Sequence, residues 1–105
     1  MAARQLLDTR SDAKLESFNG KRPEFEAWAF LFESYAHLLG WGAMVDYARV
    51  SPDPIVHTSI AEEARNVNSD LYYLLEQNLE GPDHSIVRRV ERGNGLEAVR
   101  CLYME

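Results

Sequence analysis

Three histidines (His37, His57 and His84) and one cysteine (Cys101) are the side chains best suited to hold a metal or carry nucleophilic chemistry. Their spacing argues against both. No two histidines stand four residues apart, as zinc ligands on one helical face do, and a single thiol adds little to the set. Cys101 and His84 have the residue types of a thiol–imidazole pair. A reactive thiol, however, sits at a helix N-terminus or beside a cation, whereas Cys101 falls inside a predicted helix. Asp8-Thr9-Arg10 lacks the glycine that follows Asp-Thr in aspartic proteases. Glu62, Glu63 and Glu76 fall on predicted helix surfaces, where solvation explains them. There is no Gly-x-Gly-x-x-Gly, no P-loop and no Cys-x-x-Cys. The reading is a non-enzymatic chain with no catalytic residue, no metal, no cofactor and no small-molecule substrate.

Arg88, Arg89, Arg92 and Arg100 form the main basic concentration. Arg88, Arg89 and Arg92 are candidates for a weak contact with RNA or with the acidic face of a neighbouring subunit. Glu91 and Glu97 dilute them, and solvated charge clusters of this size are common. The formal net charge of -6 opposes binding to a phosphate backbone, so any RNA affinity is expected to be weak and salt-labile.

Helices must position these groups. Asn19-Gly20 favours a turn, Pro23 suits the first helical position, and Glu24 and Glu26 favour the N-terminal end of the helix dipole. Phe25, Trp28, Phe32, Tyr35 and Leu39 then step by three and four, which places them on one helical face. That stripe has the spacing of a core face rather than a ligand box. Gly40 is a natural C-cap, and Trp41 stands where a Schellman motif folds an apolar residue back toward Tyr35. Ala43–Val50 predicts a short second helix using Met44, Val45, Tyr47 and Ala48, closed by Ser51-Pro52-Asp53-Pro54. A long third helix runs to Leu79. Ser59 and Glu62 match its capping box, and Asp53-Pro54 offers an earlier start. Its stripe is Ile60, Ala64, Val67, Leu71, Leu74 or Leu75, and Asn78 or Leu79. Gly81-Pro82 stops it, and Asp83 is expected to cap a fourth helix with Ile86, Val87 and Val90. Gly93-Asn94-Gly95 breaks that helix. Leu96–Glu105 predicts a fifth, with Leu96, Val99, Leu102 and Tyr103 on one side and no stop signal, as in a helix that continues in a longer parent.

The expected fold is all-α: a small orthogonal, capsid-like bundle of about five helices, with the Phe25–Leu39 and Ser59–Leu79 helices as its central pair. Residues 1–17 read as a flexible or extended N-terminal arm, and residues 18–105 as the domain. Predicted core anchors are Phe25, Trp28, Phe32, Tyr35, Leu39, Trp41, Leu71 and Leu74. With 46% hydrophobic and 27% charged residues, a core is attainable and global disorder is not expected. The lone cysteine excludes an intrachain disulfide and points to a reducing, cytoplasmic setting. No signal-peptide core or membrane-length apolar run is present, so no membrane contact is expected.

Several runs resemble the capsid-type Gag polypeptides of copia-like LTR retrotransposons. The first is Phe18-Asn19-Gly20, then Trp28, Phe32-Glu33-Ser34-Tyr35 and Leu39-Gly40-Trp41. The second joins Ser69–Leu75 to Gly93-Asn94-Gly95-Leu96-Glu97-Ala98-Val99-Arg100-Cys101-Leu102-Tyr103. The resemblance implies the N-terminal half of a helical capsid domain, which associates with itself as a homo-oligomer and contributes to a particle shell. It also implies a second capsid half, and often a zinc knuckle, in downstream regions through which element RNA is contacted. The alternative is a helical adaptor, host-adopted or unrelated, that binds a partner protein or peptide. Val99 stands where the family usually has tryptophan. A loosened contact is expected there, so that Val99→Trp would stabilise the domain.

Overall fold

The computed structural model describes residues 17–105. The proposed arm therefore lies outside the described residues, apart from exposed Ser17. Five α-helices follow: α1 Phe25–Leu38, α2 Gly42–Val50, α3 Arg65–Asn78, α4 Pro82–Arg89 and α5 Gly95–Met104. Among the described residues there is no named strand, only an isolated parallel bridge between Phe18 and Leu79. The fold is an all-α bundle.

Helix α1 begins behind a 3-10 turn at Arg22–Glu24 that holds Pro23. It ends in the predicted Schellman motif. Gly40 has φ 83°, the Gly40 amide donates to His37 (3.1 Å) and the Trp41 amide to Ala36 (2.8 Å). Trp28, Phe32, Tyr35, Leu39, Trp41, Leu71 and Leu74 are all buried. Phe25 is only half-buried: it closes the edge of the core, with the Arg22 guanidinium 4.2 Å above its ring.

Several expectations change. The central pair is not α1 with α3. Helix α5 is the hub, packing on α2, α3 and α4. The reason is residue size. Gly95, at its first position, sits so close to α3 that a Cβ there would lie 2.5 Å from the Tyr72 nitrogen and 2.6 Å from the Asn68 carbonyl oxygen.

The capping box at Ser59 does not form. Its hydroxyl donates to the Val56 carbonyl at 2.7 Å, and Ile60 and Ala61 are extended. A 3-10 turn, Glu62–Ala64, leads into α3 instead. Arg65 braces this entry by donating to the carbonyls of Ile60 (3.1 Å) and Thr58 (2.9 Å). Of the residues named for the second helix, Tyr47 is 61% exposed; the buried face of α2 is carried by Val45 and Ala48, one turn apart, and Tyr47 lies across the helix from it.

Asp83 is not the cap of α4. Gly81 is, with φ 64°, and Pro82 takes the first helical position. Asp83 is buried and its carboxylate lies 3.1 Å from the Arg22 guanidinium. Burial pushes the Asp83 carboxyl above its ordinary range, against the pull of Arg22. The pair ties the segment before α1 to α4, alongside the Phe18–Leu79 bridge.

Val99 is completely buried, as are Ala98 and Leu102 beside it. With α5 held against α3 at the Gly95 contact, the helix has little freedom to retreat. Val99→Trp is therefore expected to overpack the core and cost about 1–3 kcal/mol, a reversal of the gain expected from the family comparison. Urea denaturation of the two proteins measures it, and a raised midpoint would contradict the packing described here.

Candidate interaction surfaces

A polar hub lies beneath the surface where α3, α5 and the 55–57 segment meet. Asn68, fully buried, donates through Nδ2 to His57 Nδ1 (2.8 Å) and Asn94 Oδ1 (3.1 Å), and its Oδ1 accepts from the Leu96 amide (2.7 Å). Asn94 caps α5 by accepting from the Glu97 amide, and its Nδ2 donates to the Ile55 carbonyl at 2.8 Å. Glu97 accepts from the Ile55 amide and from Arg100 Nε and Nη2, each at 2.8 Å. The bonds of Asn68 to His57, Asn94 and Leu96, and of Ile55 to Asn94 and Glu97, join distant segments of the fold, so the cluster works as a brace.

The two-pronged contact with Arg100, then the Ile55 amide, hold the Glu97 carboxyl below its ordinary range, against the opposing effect of burial. A carboxyl with a lowered pKa stabilises the fold above its unfolded value, near 4.5, and that contribution is lost as pH falls through the folded value. Glu97→Gln is expected to be less stable at neutral pH and to lose less stability than the wild type on acidification below about pH 4.5. Denaturation midpoints across that range test it. Parallel pH profiles would show that Glu97 contributes nothing to the acid response.

Cys101 belongs to the same neighbourhood. Its thiol lies 3.5 Å from Glu97 Oε2. Burial and the Glu97 charge push its pKa up, so the thiolate needed for nucleophilic attack is disfavoured. The histidines are separated: His37 is 3.8 Å from Asp46, His57 is in the hub, and His84 is 3.7 Å from Glu76. Among the described residues, no three His, Cys, Asp or Glu side chains converge as a metal site.

The arginines divide rather than cluster. Helix α4 ends at Arg89, and Val90 is extended, so the chain changes direction before Arg92. Arg88 and Arg92 line a cleft of about 300 Å³ with Tyr72, Tyr73, Glu76 and His84. Arg89 borders a different groove, beside Ile55, Val56 and Met104. Arg100 is buried on Glu97. No continuous basic stripe results.

Helix α1 also has a second apolar face, which no expected site residue marks. Ala27, Phe30, Leu31 and Leu38 follow helical spacing with Ser34 between them, opposite the core stripe. Phe30 is 68%, Leu38 54% and Leu31 49% exposed. Only Glu26, Glu33 and His37 give α1 a charged or titratable edge, and Glu33 is occupied. It accepts from the Tyr103 hydroxyl at 2.7 Å and faces Arg49 at 3.4 Å. Burial and Glu33 raise the Tyr103 pKa far above the usual range, which keeps the phenol a donor. Beside Phe30 runs an open groove bordered by Phe25, Ala29, Arg49 and Tyr103. The signal was legible: α1 is apolar nearly all round, which a helix at a free surface is not.

Among the described residues, no helix is long and apolar enough to cross a membrane. No family model matches the chain, and no curated protein or solved structure is significantly similar to it.

Proposed function

We propose that this chain is a structural self-association module, and that the outer face of α1 is the contact through which two copies pair. The observation that carries the reading is the exposed stripe Ala27, Phe30, Leu31 and Leu38. Contiguous apolar surface of this kind marks interaction sites more often than it marks free surface. The stripe and the groove beside Phe30 share one face, so a protruding ring and a recess to receive it are presented together. A two-fold pairing needs that self-complementarity. The capsid-type Gag reading supplies the setting: a cytoplasmic, non-enzymatic protein whose copies contribute to a particle shell, with element RNA contacted by regions downstream.

The test is a triple variant, Phe30→Ser, Leu31→Ser and Leu38→Ser. These side chains are largely solvated in the monomer, so its folding stability should change little. Its self-association, measured by sedimentation equilibrium, should weaken at least tenfold, equivalent to about 1.4 kcal/mol. Equal association by variant and wild type would overturn the proposal, as would a wild type that stays monomeric. The adaptor reading draws on the groove at Ile55, Val56 and Met104, where Val56 and Met104 are exposed apolar residues. One-to-one binding of a heterologous protein, unaffected by the α1 triple variant, would favour it.

A further inference from the structure

Surfaces of opposite charge flank helix α3, one at the turn before it and one beside its later turns. The turn that leads into it presents Glu62 and Glu63, adjacent and exposed. Alongside its later turns lies the cleft of Arg88 and Arg92, with the half-exposed ring of Tyr73 and the imidazole of His84. None of Glu62, Glu63, Arg88 and Arg92 has an ion-pair partner among the described residues. Glu76, the one carboxylate lining the cleft, faces His84 at 3.7 Å. The cleft thus keeps a surplus of positive charge in a chain whose formal net charge is -6.

The two ends cannot neutralise each other within one molecule. Helix α3 has 14 residues and is rigidly packed between α4 and α5, so it holds the acidic turn roughly 15–20 Å from the cleft. Between molecules the match is direct: two adjacent carboxylates meet two guanidinium groups that have no ion-pair partner among the described residues, with an exposed aromatic ring to pack against the aliphatic parts. Glu24 and Glu26 are a poorer complement. Glu24 immediately precedes α1 and Glu26 lies in its first turn, where they favour the helix dipole, and Glu26 borders the groove already assigned to the pairing contact.

We infer that the Tyr73–Arg88–Arg92 cleft is a second self-association site, whose occupant is the Glu62–Glu63 turn of another copy of this chain. The inference rests on the self-association reading and adds an interface to it. The contact is head-to-tail, since the surfaces that meet are different. A head-to-tail contact closes into a ring or extends without limit. Together with a two-fold pairing through α1, it links dimers into larger arrays, as a shell-forming protein requires.

Charge reversal tests it. One variant carries Arg88→Glu and Arg92→Glu; the other carries Glu62→Arg and Glu63→Arg. Sedimentation velocity in about 0.02 M salt should show wild-type species larger than a dimer, which dissolve in about 0.5 M salt, where the Debye length is only a few ångströms. Each variant alone should stop at the dimer. An equimolar mixture restores both charge matches in alternation and keeps the wild-type average net charge of -6, so it should regain the larger species. A mixture that stays dimeric overturns the inference, and so does an Arg88/Arg92 variant that assembles like the wild type. The Phe30/Leu31/Leu38 triple variant keeps the two proposals apart. It should lose the salt-resistant dimer and retain the salt-labile association. If it retains the dimer, the pairing contact fails while this site stands. If the wild type is monomeric in both salts, both fail.

Discussion

Trp28→Ala will destabilise the domain by about 3–5 kcal/mol, the usual range for deleting a large buried aromatic. Trp28 is 6% exposed and packs against the rings of Phe18, Phe25 and Phe32. The Phe32 ring is stacked on it at 5.2 Å with an interplanar angle of 6°, and the Phe18 ring at 5.4 Å with 29°. Truncation removes the ring that these neighbours pack against, so it opens a cavity and also strips them of a partner. The damage extends beyond α1. Phe18 belongs to the segment held to the bundle by backbone bonds to Asn78 (2.7 Å) and Glu80 (3.0 Å). Losing its stacking partner should loosen that segment first. Urea denaturation reads the total cost, with Trp41 as the remaining fluorophore. Trp28→Phe should cost clearly less, because it keeps a ring in the stack. A loss below about 1 kcal/mol for Trp28→Ala would show that the surrounding rings collapse into the space.

Much of this architecture was legible in the chain. The three-and-four stepping of Phe25 to Leu39 placed α1, and Gly40-Trp41 gave both its end and the hydrogen bonds of that end. Gly81-Pro82 and Gly93-Asn94-Gly95 separated α3, α4 and α5. Other features depend on distances that no periodicity encodes. Ser59-x-x-Glu62 satisfies the capping pattern, yet the Ser59 hydroxyl has a nearer acceptor at Val56, and the helix starts later. Asp83 looks like a cap until Arg22, far away in sequence, reaches its carboxylate. Gly95 reads as a breaker, and its use as the point of closest approach between α5 and α3 follows only from where those helices lie.

The interaction surfaces divide in the same way. The basic residues could be found by counting, but their split between two grooves depends on the change of direction after Arg89. The outer stripe of α1 needed no structure: Ala27, Phe30, Leu31 and Leu38 have the spacing of a second face. The larger aromatics of the core stripe dominate the apolar pattern of α1 and mask its smaller second face.

Asn68 shows what a single polar residue contributes when it lies on an otherwise apolar stripe. It falls in register with Ala64, Leu71 and Leu75, and like Leu71 and Leu75 it is fully shielded from solvent. Asn68→Leu keeps the branched shape, with bulkier methyl groups, but removes one acceptor and two donated bonds. The Leu96 amide, in the first turn of α5, then loses its acceptor at a buried position, which alone costs about 1–3 kcal/mol. Asn94 retains its contact with the Glu97 amide, and half-buried His57 can turn to water, so their losses are smaller. The expected total is about 2–4 kcal/mol by the same reasoning. Hydrogen exchange locates it: the Leu96 amide should be strongly protected in the wild type and exchange faster than its α5 neighbours in the variant. Asn68→Asp separates the acceptor from the donor. It can still accept from Leu96, but it places a carboxylate in a buried site, which raises that carboxyl's pKa. Such a group favours folding while protonated in both states, and its contribution is lost as pH rises toward the folded value. Asn68→Asp should therefore approach wild-type stability in acid and fall behind as pH rises, whereas Asn68→Leu should trail by a nearly constant margin. Equal stability of wild type and Asn68→Leu would mean that the hydrogen bonds of the hub only offset the cost of burying its polar atoms, and that the bundle is held by its apolar faces alone.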